Sequence, residues 1–493
     1  MAQLTVNNLT FSYDGSYTAV FENAGFMADT SWRLGLTGRN GRGKTTLLHI
    51  LLGRLPHQGS VSMPITPVYF PFEVTDPSQL TLFLMQEMAA DEPEWKLRRE
   101  MNLLHVDEDA LYRPYHTLSN GEQTKVQLAA LFARDDVYPM VDEPTNHLDM
   151  HGRAQVADYL CSKNGFLLVS HDRAFLNRCV DHILSINRGD IAVRKGDYDS
   201  FAQDMERQNQ HELNENERLQ KDIKRLTESA RRTAQWSQSI EKGKYSIDSG
   251  SGQAYDKGYI GARSADMMKR SLVAVRRQER AAEEKSKLLK NVERVGALKL
   301  SPLAHPKQVL ADIRNASVQY GGKTINSHIS FTLQQGARIA LAGANGTGKS
   351  SILRSICGLS TALKGEISIA GNMTISYVPQ STDGLCGDLR AFLADRALDE
   401  TLFKAILRNM DFGREQFDKD LSELSRGQKK KILLAQSLAK PAHLYVWDEP
   451  LNYIDILSRA QIEDLLLAAR PTMLLVEHDR TFLETVCTEV IEL

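Results

Sequence analysis

Residues 38–45 read Gly-Arg-Asn-Gly-Arg-Gly-Lys-Thr, and residues 343–350 read Gly-Ala-Asn-Gly-Thr-Gly-Lys-Ser. Each stretch follows a short apolar run, at residues 33–37 and 337–341. A buried strand, a glycine-rich turn and a following helix are typical of α/β units built on a mostly parallel sheet. The sequence therefore predicts two such units in one chain.

Three further motifs recur in the same order after each glycine-rich stretch. The first copy contains Leu118-Ser119-Asn120-Gly121-Glu122, Val141-Asp142-Glu143-Pro144 and Ser170-His171-Asp172, and the second contains Leu424-Ser425-Arg426-Gly427-Gln428, Trp447-Asp448-Glu449-Pro450 and Glu477-His478-Asp479. The lysine-to-serine spacing is 75 and 76 residues, the serine-to-aspartate spacing is 23 in both copies, and the aspartate-to-histidine spacing is 29 and 30. Matched order and spacing predict a tandem duplication.

The glycine-rich stretches fit the GxxxxGK[ST] phosphate-binding loop. In such a loop the backbone N–H groups and the helix N-terminus bind phosphate oxygens, the lysine neutralises the β- and γ-phosphates, and the hydroxyl residue binds Mg²⁺. ATP and Mg²⁺ are therefore the predicted ligands. The predicted phosphate-binding residues are Gly38, Asn40, Gly41, Gly43, Lys44, Thr45 and Thr46 in the first copy and Gly343, Asn345, Gly346, Gly348, Lys349, Ser350 and Ser351 in the second.

Carboxylates and histidines at strand ends supply the predicted chemistry. Asp142 and Asp448 each end an apolar run, where a carboxylate reaches the metal, and the adjacent glutamates are placed to polarise the attacking water. The alternative is a solvated Asp-Glu pair before a turn-forming proline. The predicted metal-binding residues are Thr45, Asp142, Ser350, Gln380 and Asp448; the predicted catalytic residues are Glu143, Glu449 and two γ-phosphate contacts, His171 and His478.

Two tyrosines are candidates for stacking on adenine. Tyr13 and Tyr320 precede the first glycine of the glycine-rich stretch by 25 and 23 residues. An aromatic ring at such a place can stack on a base, although strand tyrosines are commonly packing residues.

Composition indicates a globular, cytosolic protein. The chain has 493 residues, of which 42% are apolar and 25% charged, so two to four domains with packed cores are expected. No apolar run approaches the length of a membrane-spanning helix, and Met1 to Thr10 lacks a basic stretch followed by an apolar one, so a soluble, cytosolic protein is expected. The five cysteines are scattered without a CxxC pair, which argues against a disulfide framework or a zinc site.

The middle of the chain is basic. Residues 205–300 contain 21 Lys and Arg against 14 Asp and Glu, whereas the whole chain has a net charge of −2. Two proline-free charged stretches, 205–240 and 262–298, predict an antiparallel coiled-coil hairpin joined by a glycine-rich tip near 241–261. Aromatic and basic tip residues suit RNA contact, with a passive spacer as the alternative. The tip candidates are Lys244, Tyr245, Tyr255 and Lys257.

The four motifs together resemble the ATP-binding cassette superfamily over residues 1–204 and 309–493. The resemblance implies that two cassettes close head-to-tail, so that each ATP lies between one phosphate-binding loop and the signature motif of the other cassette. It implies that site one pairs Lys44, Thr45, Asp142, Glu143 and His171 with Ser425 and Gly427, and that site two pairs Lys349, Ser350, Asp448, Glu449 and His478 with Ser119 and Gly121.

The stretch from Glu143 to Asp149 and the long charged linker resemble the ABC-F subfamily. The sequences of residues 255–263 and 445–453 resemble the Lsa-type antibiotic-resistance branch of that subfamily. This resemblance implies a monomeric ATPase whose ATP-dependent binding to the bacterial ribosome, at large-subunit rRNA and tRNA near the exit site, displaces drug from the peptidyl-transferase region. The drugs that it implies are lincosamides, streptogramin A and pleuromutilins. The expected domains are a first cassette at 1–204, the linker at 205–300 and a second cassette at 301–493. The alternative is the fused ATPase subunit of a membrane transporter.

The two copies also differ from each other. Phe72 stands where the second copy has Gln380, Arg426 replaces a signature glycine, and Leu451 replaces the threonine of the first copy. The glutamine amide is expected to help coordinate metal or water. The two sites are therefore expected to turn over unequally, and Glu449→Gln alone is expected to reduce turnover more than Glu143→Gln alone.

Overall fold

The computed structural model describes residues 2–13, 19–146, 148–187, 190–243, 298–320 and 323–493, together with four helical positions at 273, 275, 277 and 280. The four predicted tip residues, Lys244, Tyr245, Tyr255 and Lys257, lie outside the described residues. The same holds for the predicted second linker helix, 262–298, apart from those four positions and residue 298.

The chain forms two compact units. One comprises Met1–Phe201 and Gly296–Leu493, and the other comprises Ala202–Val295. Both cassettes fall in the first unit, so contacts between them belong to a single body. Within the described residues, none of the helices combines the length and apolar composition of a membrane-crossing segment.

The first cassette contains a six-stranded sheet and a three-stranded sheet. The larger sheet has the order β5-β6-β7-β3-β8-β9, in which all neighbouring strands are parallel except the final antiparallel pair. The smaller antiparallel sheet has the order β2-β1-β4. The strands are β1 Gln3–Phe11, β2 Phe21–Asp29, β3 Arg33–Thr37, β4 Gln58–Ser62, β5 Thr66–Phe70, β6 Val137–Asp142, β7 Phe166–Val169, β8 His182–Asn187 and β9 Asp190–Lys195.

The second cassette repeats this plan. Its parallel sheet has the order β14-β15-β16-β12-β17, and its antiparallel sheet has the order β11-β10-β13. The strands are β10 Val309–Tyr320, β11 Lys323–Gln334, β12 Arg338–Ala342, β13 Leu363–Ile369, β14 Ile375–Val378, β15 Leu444–Asp448, β16 Met473–Val476 and β17 Glu489–Glu492. The prediction of two tandem α/β cassettes is confirmed.

Helices cover the sheets. In the sequence, several of them lie in the segment that connects β5 to β6 and in the segment that connects β14 to β15. The described helices are α1 Lys44–Leu51, α2 Thr81–Met88, α3 Glu94–Leu103, α4 Asn120–Ala133, α5 Met150–Cys161, α6 Arg173–Cys179, α7 Tyr198–Gly243, α8 Lys349–Ile356, α9 Leu389–Asp395, α10 Glu400–Asn409, α11 Arg426–Ala439, α12 Ile456–Ala469 and α13 Arg480–Val486. Short 3₁₀ turns lie at Glu108–Tyr112, Tyr115–Thr117, Arg414–Asp418 and Leu421–Glu423.

The central strands are buried on both faces. Every residue of β7 and of β16 is buried, which explains why both strands read as uninterrupted apolar runs rather than as alternating patterns. The motifs follow the carboxyl ends of these and the neighbouring strands. Because parallel strands end at one edge, the sheet collects the motif residues of each cassette there.

The linker helix begins earlier than the sequence indicated. Helix α7 starts at Tyr198, seven residues before the expected residue 205, and Tyr198 itself is buried in the first unit. At the other end, Leu298 and Leu300, which the sequence division assigned to the linker, pack against the core of the second cassette. Charge patterning did not reveal these apolar contacts because they depend on the neighbouring cassette surface.

Candidate active site

Each phosphate-binding loop turns through left-handed glycines into a helix. Gly41 and Gly43 have φ of 80° and 94°, and Gly346 and Gly348 have φ of 85° and 92°. Glycine reaches this region without the steric cost that a Cβ adds. A Cβ on Gly43 would in addition lie 2.5 Å from Val20, so space as well as conformation requires glycine there. The loops thus present backbone N–H groups at the helix N-termini, where anions bind.

The loop lysines are held across their own loops. The Lys44 Nζ donates to the Gly38 carbonyl at 2.6 Å, and the Lys349 Nζ donates to the Gly343 and Ala344 carbonyls at 2.8 and 2.7 Å. Burial lowers the pKa of both lysines. Since an ammonium with few water contacts is drawn to anionic partners, both lysines are suited to neutralise phosphate charge.

At site two the structure fits a Mg²⁺ ion. Asp448 is fully buried, its Oδ1 accepts from the Ser350 hydroxyl at 3.0 Å, and its Oδ2 is buried without a hydrogen-bond partner among the described residues. Burial raises the pKa of Asp448 to about 6. Ser350, Asp448 and Gln380 offer oxygen ligands, which Mg²⁺ prefers alongside substrate phosphates. When bound, the ion would neutralise charge on the phosphates.

At site one a tyrosine takes part that the sequence did not indicate. The Tyr69 hydroxyl donates to the Asp142 Oδ2 at 2.9 Å. Burial raises the pKa of the Asp142 carboxyl, an effect that the Tyr69 hydrogen bond opposes. Phe72, three residues after Tyr69, brings no side-chain oxygen. Thr45 and Asp142 remain as the metal ligands that this site could supply.

The two glutamates share an uncommon backbone conformation. Glu143 and Glu449 have φ of 51° and 47°, a region that non-glycine residues rarely occupy. Each is held there by its backbone N–H, which donates to Val169 O at 2.9 Å or to Val476 O at 3.0 Å on the next strand. Such strain persists at functional sites where the surroundings fix it.

The surroundings of the two glutamates differ. The His171 Nε2 lies 3.4 Å from the Glu143 Oε1, and burial, followed by the adjacent Asp142, raises the pKa of Glu143. Burial alone would raise the pKa of Glu449, but His478 at 3.5 Å and the Gln380 amide outweigh it and lower that pKa.

The Asn452 amide also donates to the Glu449 Oε2, at 2.7 Å. The Glu449 carboxylate therefore has more polar partners than the Glu143 carboxylate, and one of them, Asn452, was not named by the sequence analysis.

The signature motifs are helix caps. The Ser119 hydroxyl accepts from the Glu122 N–H at 3.2 Å and the Glu122 side chain accepts from the Ser119 N–H at 2.7 Å, a capping box that Ser425 and Gln428 repeat at the start of α11. The S-x-x-E/Q spacing is the local signature of this cap. It fixes the helix N-terminus and leaves the small residue Gly121 or Gly427 free to approach a ligand.

The structure brings the predicted residues together in two cavities, each shared between the cassettes. Site one is lined by Asn40, Gly41, Gly43, Lys44, Thr45, Thr46, Asp142, Glu143 and His171 with Ser425 and Gly427 opposite. Site two is lined by Asn345, Gly346, Gly348, Lys349, Ser350, Ser351, Gln380, Glu449 and His478 with Ser119 and Gly121 opposite. Gly38, Gly343 and Asp448 lie behind these walls, where the first two hold the lysines and the third meets Ser350.

Of the two candidate adenine contacts, one can be placed. Tyr13 lines site one, is 50% exposed, and contacts the Thr46 hydroxyl with its own hydroxyl at 2.8 Å. Its ring packs edge-on against Phe11. Tyr320 ends β10, and its side chain lies outside the described residues.

Direct contacts close the cassettes on each other at both sites. The Asn40 Nδ2 donates to the Tyr453 carbonyl at 3.0 Å beside site one, and the Asn345 N–H donates to the Asp149 Oδ2 at 3.3 Å beside site two. Both donors belong to a predicted phosphate-binding loop, and both acceptors belong to the segment after a predicted catalytic glutamate. Movement of either cassette would therefore displace both a phosphate-binding loop and the segment after the glutamate of the opposite cassette.

Among the described residues, the ion pairs between the cassettes lie on the site-one side. The Arg173 Nη1 is 3.2 Å from the Glu463 Oε2, and its Nη2 donates to the Ile456 carbonyl at 3.2 Å. Arg39 and Arg42 lie 3.5 and 3.6 Å from the Asp411 Oδ2. At the other interface, Ala344 and Thr347 stand at the positions of Arg39 and Arg42. Ala157, eight residues after Asp149, stands at the position of Glu463, so all three residues are neutral. The interface therefore carries more ionic attraction at site one.

Arg173→Ala is expected to weaken closure at site one. Loss of its partly buried ion pair and carbonyl contact should cost about 1–2 kcal/mol after screening, so the ATP concentration for half-maximal hydrolysis should rise roughly 5- to 30-fold. The matched control is Arg480→Ala, because Arg480 stands at the corresponding place but pairs with Glu484 on the exposed face of its own helix. Equal titration curves for the Arg173 and Arg480 variants would show that the interface pair does not contribute.

Several functional contacts escaped sequence reasoning. Tyr69, Asn452 and Tyr453 are recognisable only once the strands are paired and the cassettes closed. For a further buried residue, Lys430, the sequence did offer a signal. Lys430 belongs to a run of three lysines inside α11, and a lysine on the buried face of a helix requires a polar partner.

Comparison with known proteins agrees with this geometry. The family model described as "ABC transporter" matches residues 21–146 and 326–452. The chain is 28% identical over 490 residues to ribosome protection protein VmlR of Bacillus subtilis, covering 98% of this chain and 85% of that protein. It is 24% identical over 549 residues to ABC transporter F family member 2 of Arabidopsis thaliana, covering 99% and 76%.

A solved structure shares the fold. The crystal structure of the complex of archaeal ribosomal stalk protein aP1 and archaeal ribosome recycling factor aABCE1 matches with a TM-score of 0.64 at 18% identity, covering 98% of this chain and 87% of that chain. Two tandem matches to one family model, together with two complete motif sets, establish the class. The chain belongs to the ABC transporter family as an ATP-hydrolysing protein with two tandem cassettes, and its relatives support its place among the ABC-F proteins.

Proposed function

We propose that this protein is a cytoplasmic ABC-F ATPase that binds the bacterial ribosome and protects it from antibiotics. The observation that carries the proposal is similarity to ribosome protection protein VmlR along 98% of the chain, together with two complete sites closed between the cassettes. Lincosamides, streptogramin A and pleuromutilins are the proposed drug classes, as the Lsa-type resemblance implies.

ATP acts by joining the cassettes. Each nucleotide lies between one phosphate-binding loop and the opposite signature helix, so that binding favours the closed form. A ligand shifts a conformational equilibrium only by its difference in affinity for the two forms. Ribosome binding and ATP binding therefore support each other when both prefer the closed form, and hydrolysis releases the protein.

Residue roles follow from the contacts. Glu143 and Glu449 polarise the attacking water, while His171 and His478 contact the γ-phosphate. Lys44 and Lys349 neutralise phosphate charge, and Mg²⁺ is held by Thr45 and Asp142 at site one and by Ser350, Gln380 and Asp448 at site two. Tyr13 and Tyr320 stack on adenine. These roles rest on the positions described above and on the family motifs, except that of Tyr320, which rests on its place in the sequence alone.

The basic linker is the proposed ribosome-contacting element. On sequence grounds its tip, with Lys244, Tyr245, Tyr255 and Lys257, reaches large-subunit rRNA at the drug site, while the protein binds near the tRNA exit site as a monomer. Aromatic rings stack on unpaired bases and lysines neutralise phosphates.

A drug-susceptibility panel tests the proposal. The gene is expressed in a sensitive bacterium beside a Lys44→Ala, Lys349→Ala double variant, which lacks both phosphate-binding ammonium groups. The wild type should raise the inhibitory concentrations of the three drug classes, and the double variant should not. Co-sedimentation with membranes rather than with ribosomes would instead favour a transporter subunit.

Tyr255→Ala is expected to lower resistance without changing ATP hydrolysis. Base stacking contributes about 1–3 kcal/mol by alanine substitution, so ribosome affinity should fall roughly 5- to 150-fold. Inhibitory drug concentrations and ATPase rates are measured side by side. Tyr112→Ala, which removes an exposed tyrosine of the first cassette, is the matched control. Unchanged resistance for both Tyr255→Ala and a deletion of 250–258 would refute the role of the tip.

A further inference from the structure

Lys430 is a buried cation at the wall of site two. It lies on α11, five residues after the signature serine, and is 1% exposed. Its Nζ donates to the carbonyls of Pro379 at 2.8 Å, Gln380 at 3.2 Å and Asp448 at 3.3 Å. One ammonium group therefore joins the signature helix to the ends of β14 and β15. Those two strand ends supply the glutamine and the aspartate of the proposed Mg²⁺ site.

A buried carboxylate balances this charge. Glu477 is 2% exposed, and its side chain accepts from the Leu451 N–H at 2.7 Å and the His478 N–H at 3.1 Å. Burial lowers the pKa of Lys430 to about 8, and among the carboxylates that oppose this shift Glu477 has the largest effect, ahead of Asp448 and Glu449. Because an isolated buried charge is costly, Glu477 is a favourable counter-charge for Lys430, while Arg459 is the cation that acts most strongly on Glu477 itself.

The first cassette has neutral residues at both places. The Thr124 hydroxyl donates to the Asn120 carbonyl of its own helix at 2.9 Å, and the Ser170 hydroxyl accepts from the Asp172 N–H at 3.2 Å. There the segment after β5 is joined to the signature helix by Gln127, whose Oε1 accepts from the Phe72 N–H at 3.0 Å. The two sites thus hold the same segment by different chemistry.

We propose that Lys430 is a positioning residue for ATP hydrolysis at site two: it holds the Gln380 and Asp448 backbones in register with the signature helix, and Glu477 is its counter-charge. The inference rests on the ATPase activity of the family and not on the ribosome role. Three charge-assisted hydrogen bonds from one group fix the metal-binding backbone more tightly than neutral bonds would. A residue that acts in this way affects turnover more than ATP binding, because displacement of catalytic groups by about 1 Å can cost on the order of 100-fold in rate.

The test isolates site two by using Glu143→Gln as the parent. Lys430→Thr, which installs the residue of the first cassette, should lower kcat about 10- to 100-fold, leave KM for ATP within about 3-fold, and raise the Mg²⁺ concentration for half-maximal activity. Lys430→Arg, which keeps a cation that donates, should recover part of kcat. Lys429→Thr removes the same charge from the next residue of α11 and should match the parent.

A double variant separates positioning from simple charge balance. Lys430→Thr with Glu477→Ser removes the buried pair together and should recover the thermal stability that Lys430→Thr loses, while kcat stays low. If the double variant recovers both stability and kcat, Lys430 serves only to balance Glu477 and the proposal is overturned. Equal kcat for Lys430→Thr and the parent would overturn it as well. Neither outcome depends on ribosome binding.

Discussion

Exchanging Glu143 and Glu449 together for glutamine is expected to reduce ATP hydrolysis by about 10²- to 10⁴-fold, the usual contribution of a general base, while ATP binding persists. Glutamine keeps the shape of each side chain but cannot accept the proton of the attacking water. The left-handed backbone of both residues is fixed by the strand contacts to Val169 and Val476 and not by the carboxylates. The closed form should therefore accumulate on ribosomes when ATP is present, and expression should slow growth.

Sedimentation through sucrose with and without ATP measures this accumulation. Glu122→Gln is the matched control, since it makes the same chemical change at a cap where the second cassette already has Gln428. That variant should hydrolyse ATP and leave ribosomes as the wild type does. If the double variant stays free of ribosomes in the presence of ATP, the proposal that ATP-driven closure of the cassettes favours ribosome binding is wrong. A normal hydrolysis rate would show that the two glutamates are not catalytic.

Gly427→Ala is expected to abolish tight closure at site one. A Cβ there would lie 2.7 Å from the Tyr453 carbonyl and 3.2 Å from the Asn40 Nδ2, the two groups whose hydrogen bond joins the cassettes. One neighbour is backbone and cannot rotate away, so the loop after Glu449 must shift. Overpacking of this kind costs about 1–3 kcal/mol, and ATP-dependent ribosome binding should weaken roughly 5- to 150-fold.

The same substitution at an open glycine is the control. A Cβ on Gly371 would meet nothing within 4 Å, and the backbone there is outside the left-handed region, so Gly371→Ala should behave as wild type. The readout is the ATP concentration that gives half-maximal ribosome binding in the Glu143→Gln, Glu449→Gln background, which removes hydrolysis from the measurement. Overlapping titrations for the Gly427 and Gly371 variants would contradict a close approach of the signature helix.

Local sequence predicted much of the fold because several motifs encode their own geometry. A strand, a glycine-rich turn and a helix start specify the phosphate-binding loop at Lys44 and Lys349. Serine followed three residues later by glutamate or glutamine is likewise a local signature, that of the cap at Ser119 and Ser425, although the sequence analysis did not use it. Buried parallel strands such as β7 need apolar residues on both faces, so an uninterrupted apolar run in the sequence indicates such a strand. These features depend on residues within a few positions of one another.

Contacts between segments that are far apart in the sequence could not be predicted from local patterns. The Tyr69 hydroxyl meets Asp142 only because β5 and β6 are neighbours in the sheet, although 73 residues separate them. Arg173 and Glu463 are 290 residues apart. The linker residues Leu298 and Leu300 look like the end of a charged helix until the second cassette core is present to cover them. Each contact depends on how the sheet edges and the two cassettes meet.

The sequence by itself determined two tandem α/β cassettes, the nucleotide motifs and the order in which they occur, because hydrophobic period, glycine conformation and helix capping act over short distances. Only the tertiary structure decided which side chains complete each site. It placed Tyr69 on Asp142 at one site and Lys430 between Gln380 and Asp448 at the other, and it set the ion pairs on the site-one side. Hydrogen bonds and ion pairs require atoms within about 3–4 Å, and only the folded chain brings residues hundreds of positions apart to such distances.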